Sequence, residues 1–249
     1  MNASKTLLQA SVHAGRALLR PMSHFPQSEE VEATPVMVPI RSLGPAYRQR
    51  IADHLMALEP SDRYLRFGYA ASDEQIQRYV DKLDFNTDEI FGIYNRRLEL
   101  IAMAHLAFSQ DAEHKSCAEF GVSVLKQARG RGFGSRLFDR AVMHARNEGV
   151  SLLFIHALSE NTAMLKIARN AGATVQRDGS ESEAYLALPP ADLDSRMAQI
   201  VERHYAELDY RLKVQARVSG TRWPNYKPCA RACVMPAGNR HTPRLVHFV

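Results

Sequence analysis

Arg129-Gly130-Arg131-Gly132-Phe133-Gly134-Ser135 alternates three glycines with basic, aromatic and hydroxyl side chains, and the fold follows from how this stretch is read. Glycine lets backbone N–H groups approach an anion with no side chain in the way, and a helix N-terminus adds unsatisfied donors and partial positive charge. The flanks supply the setting. Upstream, Ala118 to Val124 alternates Phe120, Val122 and Val124 with Glu119, Gly121 and Ser123, the period-two pattern of a strand. Downstream, Leu137, Ala141 and Ala145 form one stripe with Phe138 and Val142 beside it, which predicts a helix from Phe133 to Asn147, stopped at Glu148-Gly149. The glycines therefore sit at a strand-to-helix turn, a place where a pyrophosphate can be cradled.

Two nucleotide loops fail on the residues. A dinucleotide fingerprint needs G-x-G-x-x-G, whereas the spacing here is G-x-G-x-G; a P-loop needs Lys before its Ser or Thr, and Ser135 follows Gly134. Arg129, Gly132 and Gly134 instead fill the pattern Arg/Gln-x-x-Gly-x-Gly/Ala, which resembles the acyl-CoA loop of the GNAT superfamily of N-acetyltransferases. Val150 to Ala157 and Glu160 to Ala173 resemble that family's next strand and helix. Ser61-Asp62-Arg63-Tyr64-Leu65-Arg66-Phe67 is similar to the S-x-R-Y-x-R-F segment of its bacterial Pat-type protein-lysine acetyltransferases, and Ala118-Glu119-Phe120 to the strand that carries their general-base glutamate. The match is strong over Ala118 to Val175 and looser from Val36 to Leu188. The resemblance implies the α/β GNAT acyl-CoA N-acyltransferase fold: a mixed, mostly antiparallel sheet flanked by helices.

It also implies a chemistry. Acetyl transfer to an amine requires a held thioester, donors for its carbonyl oxygen and an acceptor for the ammonium proton. The resemblance places carbonyl and pantetheine contacts on the backbone of Val122, Ser123 and Val124, where neighbouring strands splay. It places the pyrophosphate on the glycine loop, Gly130 included, at the N–H groups of Arg131, Gly132, Gly134 and Ser135 beside the Arg129 side chain. Asn161 matches the family's asparagine near the cofactor arm, and serves equally as a helix N-cap; Ser159 is a softer version of the same case.

Glu119 is the candidate general base: an acid in an otherwise apolar strand, where desolvation would raise its pKa toward neutrality. A solvated strand face explains it as well. Ala168 departs from the family, since many members carry there a tyrosine that protonates the departing thiolate. A thiol ionises near ~8.5, so the loss need not end turnover, and water or Tyr185 are weak substitutes. His105 and His156 are reserve bases in predicted strands. Arg63 and Arg66 order the acceptor-side helices or face water. Cys229, Cys233 and His241 lack a fourth ligand and a C-x-x-C pair, so no metal is expected, and no G-x-S-x-G nucleophile elbow occurs.

The apolar content of 45% suffices for a sizeable core, and no apolar run reaches the ~20 residues of a membrane span, so no membrane partner is expected. Three cysteines make no disulfide framework and fit a reducing, cytoplasmic setting. The net charge of +5 is concentrated at the ends: residues 1–28 and those after Asp209 carry basic but no acidic side chains, leaving the middle net negative. That distribution argues against a nucleic-acid site on the core. The basic, serine-containing N-terminus has features of a transit peptide, although a short helix or flexible lead-in explains it too.

These observations divide the chain into a basic N-terminal extension (1–34), an acetyltransferase domain (35–190) and a C-terminal helix with a basic irregular tail (191–249). Within the domain the reading predicts an edge strand at Pro35 to Ile40, helices at Ala46 to Leu58 and Ser72 to Lys82, and a hairpin of Ile90 to Tyr94 with Leu98 to Phe108. Beyond the second helix it predicts strands at Thr174 to Arg177 and Glu183 to Leu188. A further helix from Ala191 to Lys213 aligns Met197, Ile200, Val201, Tyr205, Leu208 and Leu212 to pack on the domain or on a second subunit, which makes a homodimer an option. The expected function is acetyl-CoA-dependent N-acetylation of a protein lysine, or of a small amine, by direct attack in a ternary complex. A non-catalytic acyl-CoA-binding module and a protein binding nucleic acid through its tails are the competing readings.

Overall fold

The computed structural model describes residues 37–109 and 116–219. The N-terminal extension 1–34, Cys229, Cys233, His241 and the tail from Gly220 onward lie outside them. Among the described residues, seven strands form one sheet in the order β1-β2-β3-β4-β5-β7-β6: β1 (Arg41–Ser42), β2 (Glu89–Tyr94), β3 (Leu100–Phe108), β4 (Cys117–Val124), β5 (Leu152–Leu158), β6 (Thr174–Asp178) and β7 (Glu181–Ala187). Every neighbouring pair is antiparallel except β4 and β5, which run parallel. The helices are α1 (Arg48–Met56), α2 (Pro60–Phe67), α3 (Asp73–Asp81), α4 (Phe133–Asn147), α5 (Thr162–Asn170) and α6 (Leu193–Val218). This is the mixed, mostly antiparallel sheet flanked by helices that the sequence predicts.

Three local expectations need correction. The first strand of the described residues is Arg41–Ser42; of the edge strand expected at Pro35 to Ile40, Pro35 and Val36 lie outside the described residues, and 37–40 form no ladder, Pro39 having no N–H to give one while Val38 and Ile40 pack into the core. The helix expected from Ala46 to Leu58 begins with a 3-10 turn at Pro45–Tyr47 and is α-helical only over Arg48–Met56. A third helix, α2, follows at once. Pro60 occupies its first turn, Asp62 and Arg66 complement its dipole, and Gly68 closes it in the left-handed region (φ 78°). Pro60, expected to end a helix, starts one instead.

Apolar side chains fill both sides of the sheet. On one side α4 and α5 cover Phe91, Phe120 and Ile155, and the Phe120 and Phe138 rings meet edge-on with centroids 5.0 Å apart. On the other, α1 and α3 bring Ile51, Leu55, Ile76 and Val80 onto Met103 and Leu43. Ser72 caps α3 with a full capping box, Gln75 answering the Ser72 backbone. α6 starts from a second box, Asp192 with Ser195. It then holds the domain through polar contacts: Arg41 to Glu207 at 2.8 Å, Arg50 to the Tyr210 hydroxyl at 3.0 Å and Lys213 to the Tyr94 carbonyl at 3.0 Å. Its apolar row faces outward, with Met197 58% and Leu208 61% exposed.

Candidate active site

β4 is where the sheet opens. Its ladder with β5 has three rungs, Cys117 with Leu152, Ala118 with Leu153 and Glu119 with Phe154. From Phe120 onward β4 pairs only with β3. The backbone alternation then decides which N–H groups face the opening. Leu125 N–H donates to Ile101 and Ser109 N–H to the Cys117 carbonyl across the β3 side, whereas the Ser116 carbonyl accepts from Ser151 and Leu152 on the β5 side. Odd-numbered residues of β4 are thus turned to β3 and even-numbered ones to β5. Val122 and Val124 present their N–H groups into the splay. Ser123 does not: its backbone belongs to the β3 ladder, and its hydroxyl lies 2.9 Å from His54 Nε2.

The glycine loop closes the far end of that opening. After a 3-10 turn at Lys126–Ala128, Gly130 (φ 73°) and Gly132 (φ 74°) adopt left-handed conformations that favour glycine, and Gly132 leads directly into α4 with no side-chain cap. The N–H groups of the first turn, Gly134 and Ser135 included, thereby have no side-chain acceptor at the cap position. Gly134 packs close to α5; a Cβ there would lie 3.2 Å from Ile167 Cδ1. A cleft of about 560 Å³ joins these parts, lined by Val122, Ser123, Val124, Arg129, Gly130, Gly132, Gly134, Ser135 and Asn161, together with Leu65 and Arg66 of α2. Arg131 is exposed and does not line it.

Two of the residues singled out in the sequence act structurally as well. The Arg129 guanidinium pairs with Asp62 of α2, and its Nε donates to the Val124 carbonyl at 3.2 Å, tying helix, strand and loop together. Asn161 Oδ1 accepts from Met164 N–H at 3.1 Å as the cap of α5. Asp62 was not among the expected site residues; its signal was the acid in the first turn of a helix that the sequence reading had not recognised.

Glu119 occupies the last rung before the splay, on the same face as Gly121 and Ser123. It is exposed rather than desolvated, because it lines a separate recess of about 410 Å³ with Ala107, Cys117, Phe154 and His156. Ala168 is fully buried in the core. Tyr185 is hydrogen-bonded to Glu183 and stacks edge-on to Phe154 at 5.2 Å, outside the cleft.

Two histidines, the reserve base His105 and His54, which no sequence pattern singles out, are each held at both ring nitrogens. His54, 3% exposed, sits between the Leu100 carbonyl (Nδ1, 2.8 Å) and Ser123 (Nε2, 2.9 Å). A carbonyl only accepts, so Nδ1 carries the proton and Ser123 donates to Nε2. Burial pushes His54 down to about 4 and keeps it neutral. His105 lies between Asp88 (Nε2, 2.9 Å) and the Tyr79 hydroxyl (Nδ1, 2.7 Å), and burial lowers its pKa despite the carboxylate. Arg63, by contrast, is an architectural residue: it donates to the carbonyls of Met56, Leu58 and Ala71 and pairs with Asp73 at 2.6 Å.

A parallel strand pair that parts beside an uncapped, glycine-led helix leaves one continuous cleft running from the sheet to the loop. Residues 50–173 match the model of the acetyltransferase (GNAT) family. The fold is similar to that of the GNAT domain of S. lividans PAT, with 21% identity, 60% of this chain and 89% of that one covered, and a TM-score of 0.52. It is also similar to a GNAT-family acetyltransferase of Streptococcus pneumoniae, at 12% identity, 60% and 98% coverage and a TM-score of 0.50. No curated protein sequence matches the chain.

Proposed function

We propose that the protein transfers the acetyl group of acetyl-CoA to a protein lysine side chain by direct attack of the neutral amine in a ternary complex. The observation that carries this reading is the pair of Val122 and Val124 N–H groups turned into the splay between β4 and β5. One can polarise the thioester carbonyl and the other can hold the pantetheine arm, while the Gly130–Ser135 loop takes the pyrophosphate. Glu119, at the mouth of the splay, is the candidate acceptor of the ammonium proton. The lysine assignment rests on the Ser61 to Phe67 segment, whose two arginines organise the helices on the acceptor side. Cysteine usage supports a cytoplasmic setting.

The test is release of free coenzyme A thiol from acetyl-CoA against lysine-containing peptides, spermidine and other small amines. Turnover with peptides above that with free amines supports the assignment; preference for a small amine replaces the acceptor class. Tight acetyl-CoA binding without turnover favours the non-catalytic module, the reading supported by alanine, which cannot donate a proton, at position 168.

A further inference from the structure

A second cavity, of about 800 Å³, lies between α1, the turn joining β2 to β3 and the last turns of α6. It is separate from the acyl-CoA cleft: Leu125 and Gln127 line it, whereas Ala128 and Arg129 line the cleft, so the 3-10 turn at Lys126–Ala128 divides the two. Cations reach it from three elements, Arg50 from α1, Arg96 and Arg97 from the β2–β3 turn, and Lys213 and Arg217 from α6, against the two carboxylates Asp53 and Glu99. Both acids already have amide donors, Gln49 at 2.9 Å and Asn95 at 2.6 Å, and Lys213 pairs with Asp209 at 2.5 Å. Arg50 and Arg217 are held instead by neutral groups, the Tyr210 hydroxyl at 3.0 Å and the Arg97 carbonyl at 3.2 Å. Such partners fix where a guanidinium sits without cancelling its charge. The turn itself is strained. Leu98, which lines the cavity, is the one non-glycine residue with positive φ (61°) among the described residues. Asn95 Oδ1 holds it there by accepting from the Arg97 and Glu99 N–H groups at 2.8 and 3.0 Å.

We propose that this cavity binds a small organic molecule carrying phosphate groups, at a site distinct from that of acetyl-CoA. Charge selects the sign of the ligand, since the cations of the lining outnumber its carboxylates. Geometry selects phosphate. All the cations but Lys213 are arginines, whose planar forks each take two oxygens of a phosphate, and they converge from different elements on one space. Shape selects a small molecule: the volume falls within the ~300–1,000 Å³ usual for ligand pockets. Leu98, Leu100 and Leu125 give the lining an apolar part, against which the carbon portion of the ligand rests while its phosphates meet the arginines. His54, 3% exposed, belongs to this lining, and its partner Ser123 lines the cleft, so the two cavities back onto one buried contact. A bound anion ties α1, the β2–β3 turn and α6 together, and it stabilises the folded chain in proportion to its occupancy.

The experiment is calorimetric titration of inorganic tripolyphosphate into the full chain holding saturating acetyl-CoA, which keeps the glycine loop occupied. Saturable binding is expected, with a urea midpoint that rises as the probe is added. Arg50→Gln and Arg217→Gln should each weaken it about tenfold and leave acetyl-CoA affinity within about twofold. Arg97→Gln alters an exposed side chain that packs on nothing in the core, and it should weaken the probe severalfold with the urea midpoint of the unliganded chain unchanged. Absence of saturable binding overturns the site, as does equal binding to wild type and all three variants, which is an adventitious ion only. Displacement of the probe by acetyl-CoA places it on the glycine loop and also overturns the site. Citrate bound as tightly as tripolyphosphate overturns the phosphate assignment. Probe binding that the arginine variants abolish, in a chain that fails to bind acetyl-CoA, supports the site and overturns the acetyl-transfer reading alone.

Discussion

Single residues set the chemistry, and Glu119 is the one on which the candidate mechanism leans most openly. Replacement by Gln keeps its size and removes its charge. Glu119→Gln should cut turnover by two orders of magnitude or so while leaving acetyl-CoA affinity nearly unchanged; steady-state kinetics with calorimetry reads both, and unaltered turnover removes Glu119 from the mechanism. Gly132 is the complementary case, since its role is in the backbone. With φ at 74°, an alanine there costs about 1 kcal/mol of strain and displaces the start of α4. Gly132→Ala should therefore weaken acetyl-CoA binding and lower stability together, measured by calorimetry and urea unfolding. Glu119 was legible as a strand acid, and the sequence left open whether it was desolvated or solvated. That depends on the recess beside β5, which exists only when residues 35 positions apart in sequence lie side by side, as Glu119 and Phe154 do.

At the scale of elements, the local signals were legible wherever chain punctuation and periodicity agreed. Phe133 to Asn147 is helical over its full predicted span, because its apolar stripe lies between Gly132 and Glu148-Gly149. α2 was missed because its eight residues carry no long stripe, and its tie to the loop, Asp62 with Arg129, spans segments that no local pattern connects. The outward apolar row of α6 shows a related limit: periodicity reveals a face, but the polar clamps at Glu207, Tyr210 and Lys213 decided which face meets the domain. The cap of α5 offers a direct check. Asn161→Ala removes the bond to Met164 N–H and should cost about 1 kcal/mol in urea unfolding. Because that helix walls the cleft, acetyl-CoA affinity should fall with it.

The whole molecule should respond to acid through one buried and one half-buried imidazole. His54 and His144 are both held at about 4, with desolvation by burial the largest cause in each. In the unfolded chain they titrate near ~6.5, so between these values the unfolded state binds more protons than the folded one. Stability is therefore intact above pH ~6.5, declines as pH falls toward 4 and levels off below that. His54 alone accounts for a loss of about 2 kcal/mol on going from pH 7 to pH 5. Urea midpoints across that range, with His54→Gln flattening the slope, give the measurement. The divergence of β4 from β5 has a consequence of another kind, in solvent exchange. A strand inside a sheet ordinarily protects all its amides alike, but here the protection should alternate along one strand. The Val122 and Val124 amides should exchange with deuterium far faster than that of Ser123 between them, and should slow selectively when acetyl-CoA is added. The cofactor arm would then serve as a borrowed strand, completing a sheet that the polypeptide alone leaves parted.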